Sequence, residues 1–168
     1  MKLRKLELRD AALMLEWMHD KSVVEDLRTN FLTKTMEDCE NFIRKSWEDE
    51  KNLNLAITDE NDTYMGTVSL KNIREKTAEF GITIRACAMG KGYSIKAMRE
   101  ILRRGFQEIG LQKIYWCVSP ENKRAVRFYD KNGVIRVDAD MLDMIEGYTK
   151  EQIASYIWYL EECKKQEF

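Results

Sequence analysis

The sequence predicts a mixed α/β fold built on one central sheet, and three observations predict it. Apolar residues alternate at Leu53, Leu55 and Ile57, and again at Ala78, Phe80, Ile82 and Ile84, the period of a half-buried strand. They recur at helical spacing at Met36, Cys39, Phe42 or Ile43, and Trp47, and at Ile95, Met98, Leu102 and Phe106. The segments run strand, two helices, antiparallel strands, then β-α-β-α-β, the order of a sheet covered by helices.

Taken in order, Leu3, Leu6 and Leu8 belong to a short first strand. Asp10 is the expected N-cap of a helix through Leu13, Leu15, Trp17 and Met18. Thr35 and Asp38 form a capping box, with Asp in place of the usual Glu, for the next helix. The strand through Ile57 turns at Asp59-Glu60-Asn61-Asp62 into a strand over Tyr64 to Ile73, and Arg74 to Lys76 turn the chain again. A strand over Ala78 to Arg85 precedes a helix from Tyr93 to Ile109, ended by Gly110. Gln112 to Ser119 is a strand, Pro120 to Lys131 a helix stopped by Asn132-Gly133, and Val134 to Val137 a strand. The end of the chain fits helix or strand. A short helix over Thr149 to Ala154 followed by a strand through Tyr156-Ile157-Trp158-Tyr159 suits its β-forming residues better.

A chain of 168 residues can bury its own core, and residues 1–168 are read as one domain. Hydrophobic residues at 44% and charged residues at 34% mark a folded globular chain, and a net charge of -1 removes the signature of a nucleic-acid partner. No apolar run is long enough to cross a membrane, and Met1-Lys2-Leu3-Arg4-Lys5-Leu6 lacks the core of a signal peptide, so the cytoplasm is the expected location. Cys39, Cys87, Cys117 and Cys163 form no CxxC pair and His19 is the sole histidine, so no metal site is expected. The cysteines read as reduced thiols serving as small hydrophobes; a cysteine–histidine nucleophile would need His19 beside one of them.

The chemistry concentrates at Met89-Gly90-Lys91-Gly92-Tyr93-Ser94, between a strand and a helix. Two glycines one residue apart permit a tight turn, and the first amides of the helix point where its dipole favours negative charge. That combination cradles a phosphate or pyrophosphate. The segment is not a GxxxxGKS/T loop, and it lacks the third glycine of a dinucleotide fingerprint.

The same segment resembles motif A of the GNAT superfamily of acetyl-CoA-dependent N-acetyltransferases: Gln or Arg, two residues, Gly, one residue, Gly or Ala. Gly92 is in place, while Met89 and Ser94 stand where the pattern has Gln or Arg and Gly or Ala. After the next strand, Asn122, Ala125, Phe128-Tyr129 and Lys131-Asn132-Gly133-Val134 resemble the family's motif B. Ala78-Glu79-Phe80 and the N-terminal Leu-Arg pattern with Asp10 resemble the ribosomal-protein-alanine acetyltransferase subgroup. The resemblance implies a mostly antiparallel central sheet of about seven strands flanked by helices.

It also implies acetyl-CoA as donor cosubstrate without a metal, direct attack by a neutral amine, and a site. Met89, Gly90, Lys91, Gly92, Tyr93 and Ser94 would hold the pyrophosphate, and backbone groups around Ile82, Thr83 and Ile84 the pantetheine arm. A backbone N–H at the end of that strand would stabilise the oxyanion. Asn122 would hydrogen-bond the arm, and Tyr129 would be the general acid. Seven residues apart on a helix, these two share a face. Glu79 is a candidate base, with a solvated strand charge and a water relay as alternatives. Lys91 is placed near the phosphates, Lys96 and Arg99 as solvated or phosphate-facing. The acceptor site would draw on Trp17, Met18, His19 and Asp20 and on 138–148, whose acids Asp138, Asp140, Asp143 and Glu146 suit a cation as well as a solvated loop. The expected acceptor is a small-molecule amine such as an amino sugar. Protein N-terminal acetylation, a non-catalytic acyl-CoA-binding module and an unrelated phosphate-binding protein are the alternatives, and the family's habit makes a homodimer possible.

Overall fold

The computed structural model describes residues 1–164. Its seven strands are β1 (Lys2–Lys5), β2 (Leu53–Thr58), β3 (Tyr64–Arg74), β4 (Thr77–Ile84), β5 (Lys113–Val118), β6 (Ile135–Val137) and β7 (Ile157–Glu162), in one sheet of order β1-β2-β3-β4-β5-β7-β6. Every pairing is antiparallel except β4 with β5. The helices are α1 (Ala11–Met18), α2 (Lys21–Val24), α3 (Met36–Ser46), α4 (Tyr93–Arg103), α5 (Lys123–Lys131) and α6 (Lys150–Ser155).

Strand alternation sends side chains to two faces. Leu55, Ile57, Val68, Leu70, Phe80, Ile114 and Trp116 pack with Ala97, Met98 and Ile101 of α4 and Tyr129 of α5. On the opposite face Ala56 and Tyr64 meet Met14 and Trp17 of α1 and Cys39 and Ile43 of α3. Tyr115, Trp158 and Leu160 form a third cluster with Leu142 and Met144.

Most elements follow the periodicity, and the departures are local. β1 stops at Lys5; Leu6 is buried beyond it and Leu8 is exposed in a 3-10 turn. Asp10 does not cap α1 with its side chain: its carboxylate accepts from the Glu7 amide (2.8 Å) and from both terminal nitrogens of Arg4 (2.8 and 2.9 Å). The Thr35–Asp38 capping box forms as expected, but α3 buries only Cys39 and Ile43, leaving Met36, Phe42 and Trp47 partly in water. α4 gives way at Arg104 to a π-helical segment reaching Ile109, and Gly105 there packs against Ile114 and Leu70. α5 starts at Lys123, three residues after Pro120, because Asn122 is its N-cap. Thr149 and Gln152 box the start of α6, and the strand favoured for the C-terminal end is β7.

One departure from regular pairing positions the site. β4 and β5 are joined only at Thr77–Lys113, Ala78–Ile114 and Glu79–Tyr115. Beyond that point β4 stays paired with β3 as far as Ile84–Gly66, and β5 with β7 as far as Val118–Ile157. The two strands therefore part while each keeps its other neighbour. Gly66 lets β4 lie close on β3 there: a Cβ at this position would stand 2.5 Å from the Thr83 carbonyl oxygen. The Phe80 and Trp116 rings, 4.9 Å apart, sit just beyond the last paired residues.

Candidate active site

After Ile84 the chain is anchored by Arg85, whose guanidinium donates to Glu16 (2.9 Å) and to the Tyr64 carbonyl (3.2 Å). One 3-10 turn over Ala86–Ala88 leads into the glycine loop. Gly90 has φ +76° and Gly92 φ +83°, left-handed conformations that L side chains rarely adopt. A side chain at either would meet nothing within 4 Å, so backbone conformation and not crowding demands glycine, and the space above the loop is open. Gly92 caps α4 without any side-chain hydrogen bond, which leaves the first amides of an 11-residue helix available to an anion. Lys91 is exposed in this loop. Lys96 and Arg99 are also exposed but line a separate groove of about 710 Å³ with Met1–Leu3 and Arg103. Arg124, which sequence reasoning did not single out, reaches from the first turn of α5 to contact the Met89 sulfur.

Between the parted strands lies a cavity of about 240 Å³. Glu79, Ile82, Thr83, Asn122 and Tyr129 all line it, so the structure brings together five of the expected residues. Ile84 and Met89 to Ser94 are not on its wall; they follow it along the chain. The cavity is smaller than the roughly 300–1,000 Å³ typical of ligand pockets. It admits a slender arm, with bulkier groups left outside. The edge of β4 facing β5 is unpaired from Phe80 to Ile84, a row of backbone groups that an extended ligand can pair with.

Tyr129 is buried among Trp116, Phe128 and Tyr159, with ring centroids 5.1–5.4 Å from its own. Its hydroxyl has no hydrogen-bond partner among the described residues. Burial pushes its ionisation above the ordinary tyrosine range, so it is held as a proton donor. The Asn122 side chain is half engaged: Oδ1 accepts from the Ala125 amide at 3.3 Å, while Nδ2 has no partner among the described residues. As an N-cap it precedes the helix, yet it still lines the same cavity as Tyr129. The Trp116 indole N–H is the one fully enclosed side-chain polar atom without a partner among the described residues, whereas the Tyr129 hydroxyl belongs to a residue on the cavity wall; Trp116 also lines the cavity.

Glu79 is not a solvated strand charge. It is 3% exposed, its Oε2 accepts from the Tyr148 hydroxyl at 2.8 Å, and its Oε1 lies 3.7 Å from Lys71 Nζ. Burial first, and the Glu79 charge second, keep the Tyr148 hydroxyl protonated. Cys117 borders the same group, its Sγ 3.5 Å from the Tyr148 hydroxyl. Burial pushes the Cys117 thiol up to about 11, so at neutral pH it is a thiol and a poor nucleophile. His19 is engaged elsewhere, its Nε2 2.7 Å from the Lys34 carbonyl, and no cysteine–histidine hydrogen bond forms among the described residues.

The expected acceptor residues are placed differently. Trp17 is buried and donates to Tyr64 (2.9 Å), Met18 packs on the Cys39 sulfur (3.5 Å), and Asp20 caps α2. Of the acids in 138–148, Glu146 pairs with Arg74, Asp138 and Asp140 border a surface groove beside Met141, and Asp143 is exposed. Only Tyr148 from that segment reaches the cavity, together with Asp26 to Thr29, Phe31, Lys71 and Tyr156. The segment after α2 carries no periodic pattern that could have announced it.

Comparison with known proteins bears on the family and the fold. Residues 1–135 match the model of the acetyltransferase (GNAT) domain. The uncharacterized N-acetyltransferase p20 of Bacillus licheniformis is 27% identical over 144 residues, covering 80% of this chain and 81% of the relative. A spermidine N(1)-acetyltransferase of Vibrio cholerae is 28% identical over 104 residues, 61% of this chain and 60% of the relative. The crystal structure of spermidine N-acetyltransferase from Vibrio cholerae in complex with CoA and spermine superposes with TM-score 0.78 at 21% identity, covering 96% of this chain and 95% of the other.

Proposed function

The chain belongs to the GNAT acetyltransferase family and is an acetyl-CoA-dependent N-acetyltransferase; we propose that it transfers acetyl directly to the primary amine of a small molecule, such as an amino sugar, in the cleft between β4 and β5. The observation that carries this reading is the parting of β4 from β5 with the unpartnered Tyr129 hydroxyl on the wall between them.

The residues fit the donor. The left-handed turn at Gly90 and Gly92 and the uncapped start of α4 suit its pyrophosphate, with Lys91 and Arg124 adding positive charge. The open β4 edge at Ile82, Thr83 and Ile84 and the Asn122 Nδ2 suit the amides of its pantetheine arm. When bound, the donor supplies an activated acyl group on sulfur.

Tyr129 then donates its proton to the departing sulfur as the carbon–sulfur bond breaks and the carbon–nitrogen bond forms. A thiolate leaves with a proton affinity near that of a simple thiol, pKa about 8.5, against about 10 for tyrosine. Burial lifts Tyr129 further, but the same desolvation disfavours the thiolate and so favours the transfer. Glu79 accepts the amine proton, directly or through the Tyr148 hydroxyl or a water. Cys117, held as a thiol, gives no support to a covalent acetyl-enzyme.

Calorimetric titration with acetyl-CoA tests the donor assignment. One molecule is expected to bind per chain with a rise in melting temperature; no heat and no thermal shift at millimolar ligand would refute it.

A further inference from the structure

On the acetyl-transfer reading above, we infer that the acceptor carries an anionic group, a carboxylate or a phosphate, in addition to its amine, and that Arg28 with Lys71 receives it at the mouth of the cleft.

Arg28 is fixed from two sides. Its Nη1 donates to the Gly147 carbonyl at 2.6 Å, and its guanidinium carbon lies 4.1 Å from the centroid of the Tyr148 ring. Tyr148 in turn donates to Glu79 inside the cavity. These contacts use one of the five N–H groups of Arg28 and leave its charge without a carboxylate partner among the described residues. A guanidinium stays charged at every accessible pH, and its planar fork matches a carboxylate or a phosphate.

Lys71 is the second cation. Its side chain crosses the bare backbone at Gly81, where a Cβ would stand 3.2 Å from Cε and 3.3 Å from Nζ. Its Nζ is 3.7 Å from Glu79, and its side chain keeps 42% exposure. Two acids complete the wall. Glu79 is already engaged by Tyr148 and Lys71, while Asp26 has no partner among the described residues.

The wall thus offers one unpaired acid and one unpaired, immobilised guanidinium. A polyamine would bring several positive charges to Arg28 and Lys71 and find only Asp26 unengaged. A molecule with one amine and one anionic group matches both signs.

The test compares matched acceptors by CoA release: D-glucosamine, D-glucosamine 6-phosphate, the carboxylate analogue 2-amino-2-deoxyglucuronic acid, and spermidine. A kcat/KM at least about tenfold higher for one of the anionic acceptors than for glucosamine and spermidine is expected, carried by KM. The phosphate and carboxylate arms show which anion the site takes. Arg28→Gln should bring that preference close to one, and Arg28→Lys should restore part of it, which loss of packing on Tyr148 alone would not do. Equal or better use of spermidine or glucosamine, or a preference unchanged in Arg28→Gln, overturns the inference while leaving acetyl transfer intact. Failure of acetyl-CoA to bind would strike the underlying reading instead.

Discussion

Gly92→Glu is expected to weaken acetyl-CoA binding by about a hundredfold or more while the protein stays folded. Gly92 holds φ +83° at the first amides of α4, and its missing Cβ faces open space. Any L residue there costs roughly 1–2 kcal/mol of backbone strain, a modest fraction of a domain's stability. Glutamate adds a carboxylate where the donor's phosphates would sit, and the helix dipole that welcomes them welcomes the carboxylate too. The substitution therefore occupies the anion site from within. Gly92→Ala separates the two effects, because it carries the strain without the charge: binding must restore only whatever strain the empty loop relieves, so it should lose at most about tenfold. Calorimetric titration of both variants, with melting curves beside them, checks this. Equal loss in both would assign the effect to backbone strain, and retained affinity in Gly92→Glu would place the phosphates elsewhere.

Tyr129→Phe should lower turnover by about 10²- to 10⁴-fold, the range of a general acid–base contribution. Acetyl-CoA affinity should stay within about threefold, a difference of under 1 kcal/mol. The ring is retained, so its packing on Trp116, Phe128 and Tyr159 survives. Only a hydroxyl is lost, and it has no hydrogen-bond partner among the described residues, so no protein group is left unsatisfied. The direction of the Tyr129 shift also fixes a pH signature. Because burial raises its ionisation, the hydroxyl stays protonated through the neutral range and loses its proton only above the usual tyrosine value of about 10. A fall in wild-type rate on the alkaline side below that value must come from another group. Initial rates across pH for wild type and variant check both points, and an unchanged rate in Tyr129→Phe would remove its acid role.

Much of the proposed donor half of the site is legible in the sequence because it is local. A strand at period two, two glycines and a helix at period 3.6 stand side by side in 77–103, and the fold keeps them so. Glu79 is legible as a strand residue off the apolar alternation, but its burial is not, since Tyr148 and Lys71 come from distant segments. The proposed acceptor half is tertiary. Arg28 meets Gly147 across 119 residues, from a stretch that follows a four-residue helix too short to show any period. Trp17 and Met18 fit a helix face, and the structure uses that face for packing against Tyr64 and Cys39. The acids of 138–148 lie at the surface, whereas Tyr148, its ring packed on Tyr156 and Trp158, lines the cleft.

Amine-dependent release of CoA, with the product identified by mass spectrometry, tests the central claim most directly. Incubation with acetyl-CoA alone should release no CoA beyond background hydrolysis. Addition of an accepted primary amine should release CoA in equal amount to an N-acetylated product, and the rate should collapse in Tyr129→Phe. Stoichiometric CoA release before any amine is added would instead mean that acetyl passes first to the protein, and would contradict direct transfer in the cleft between β4 and β5.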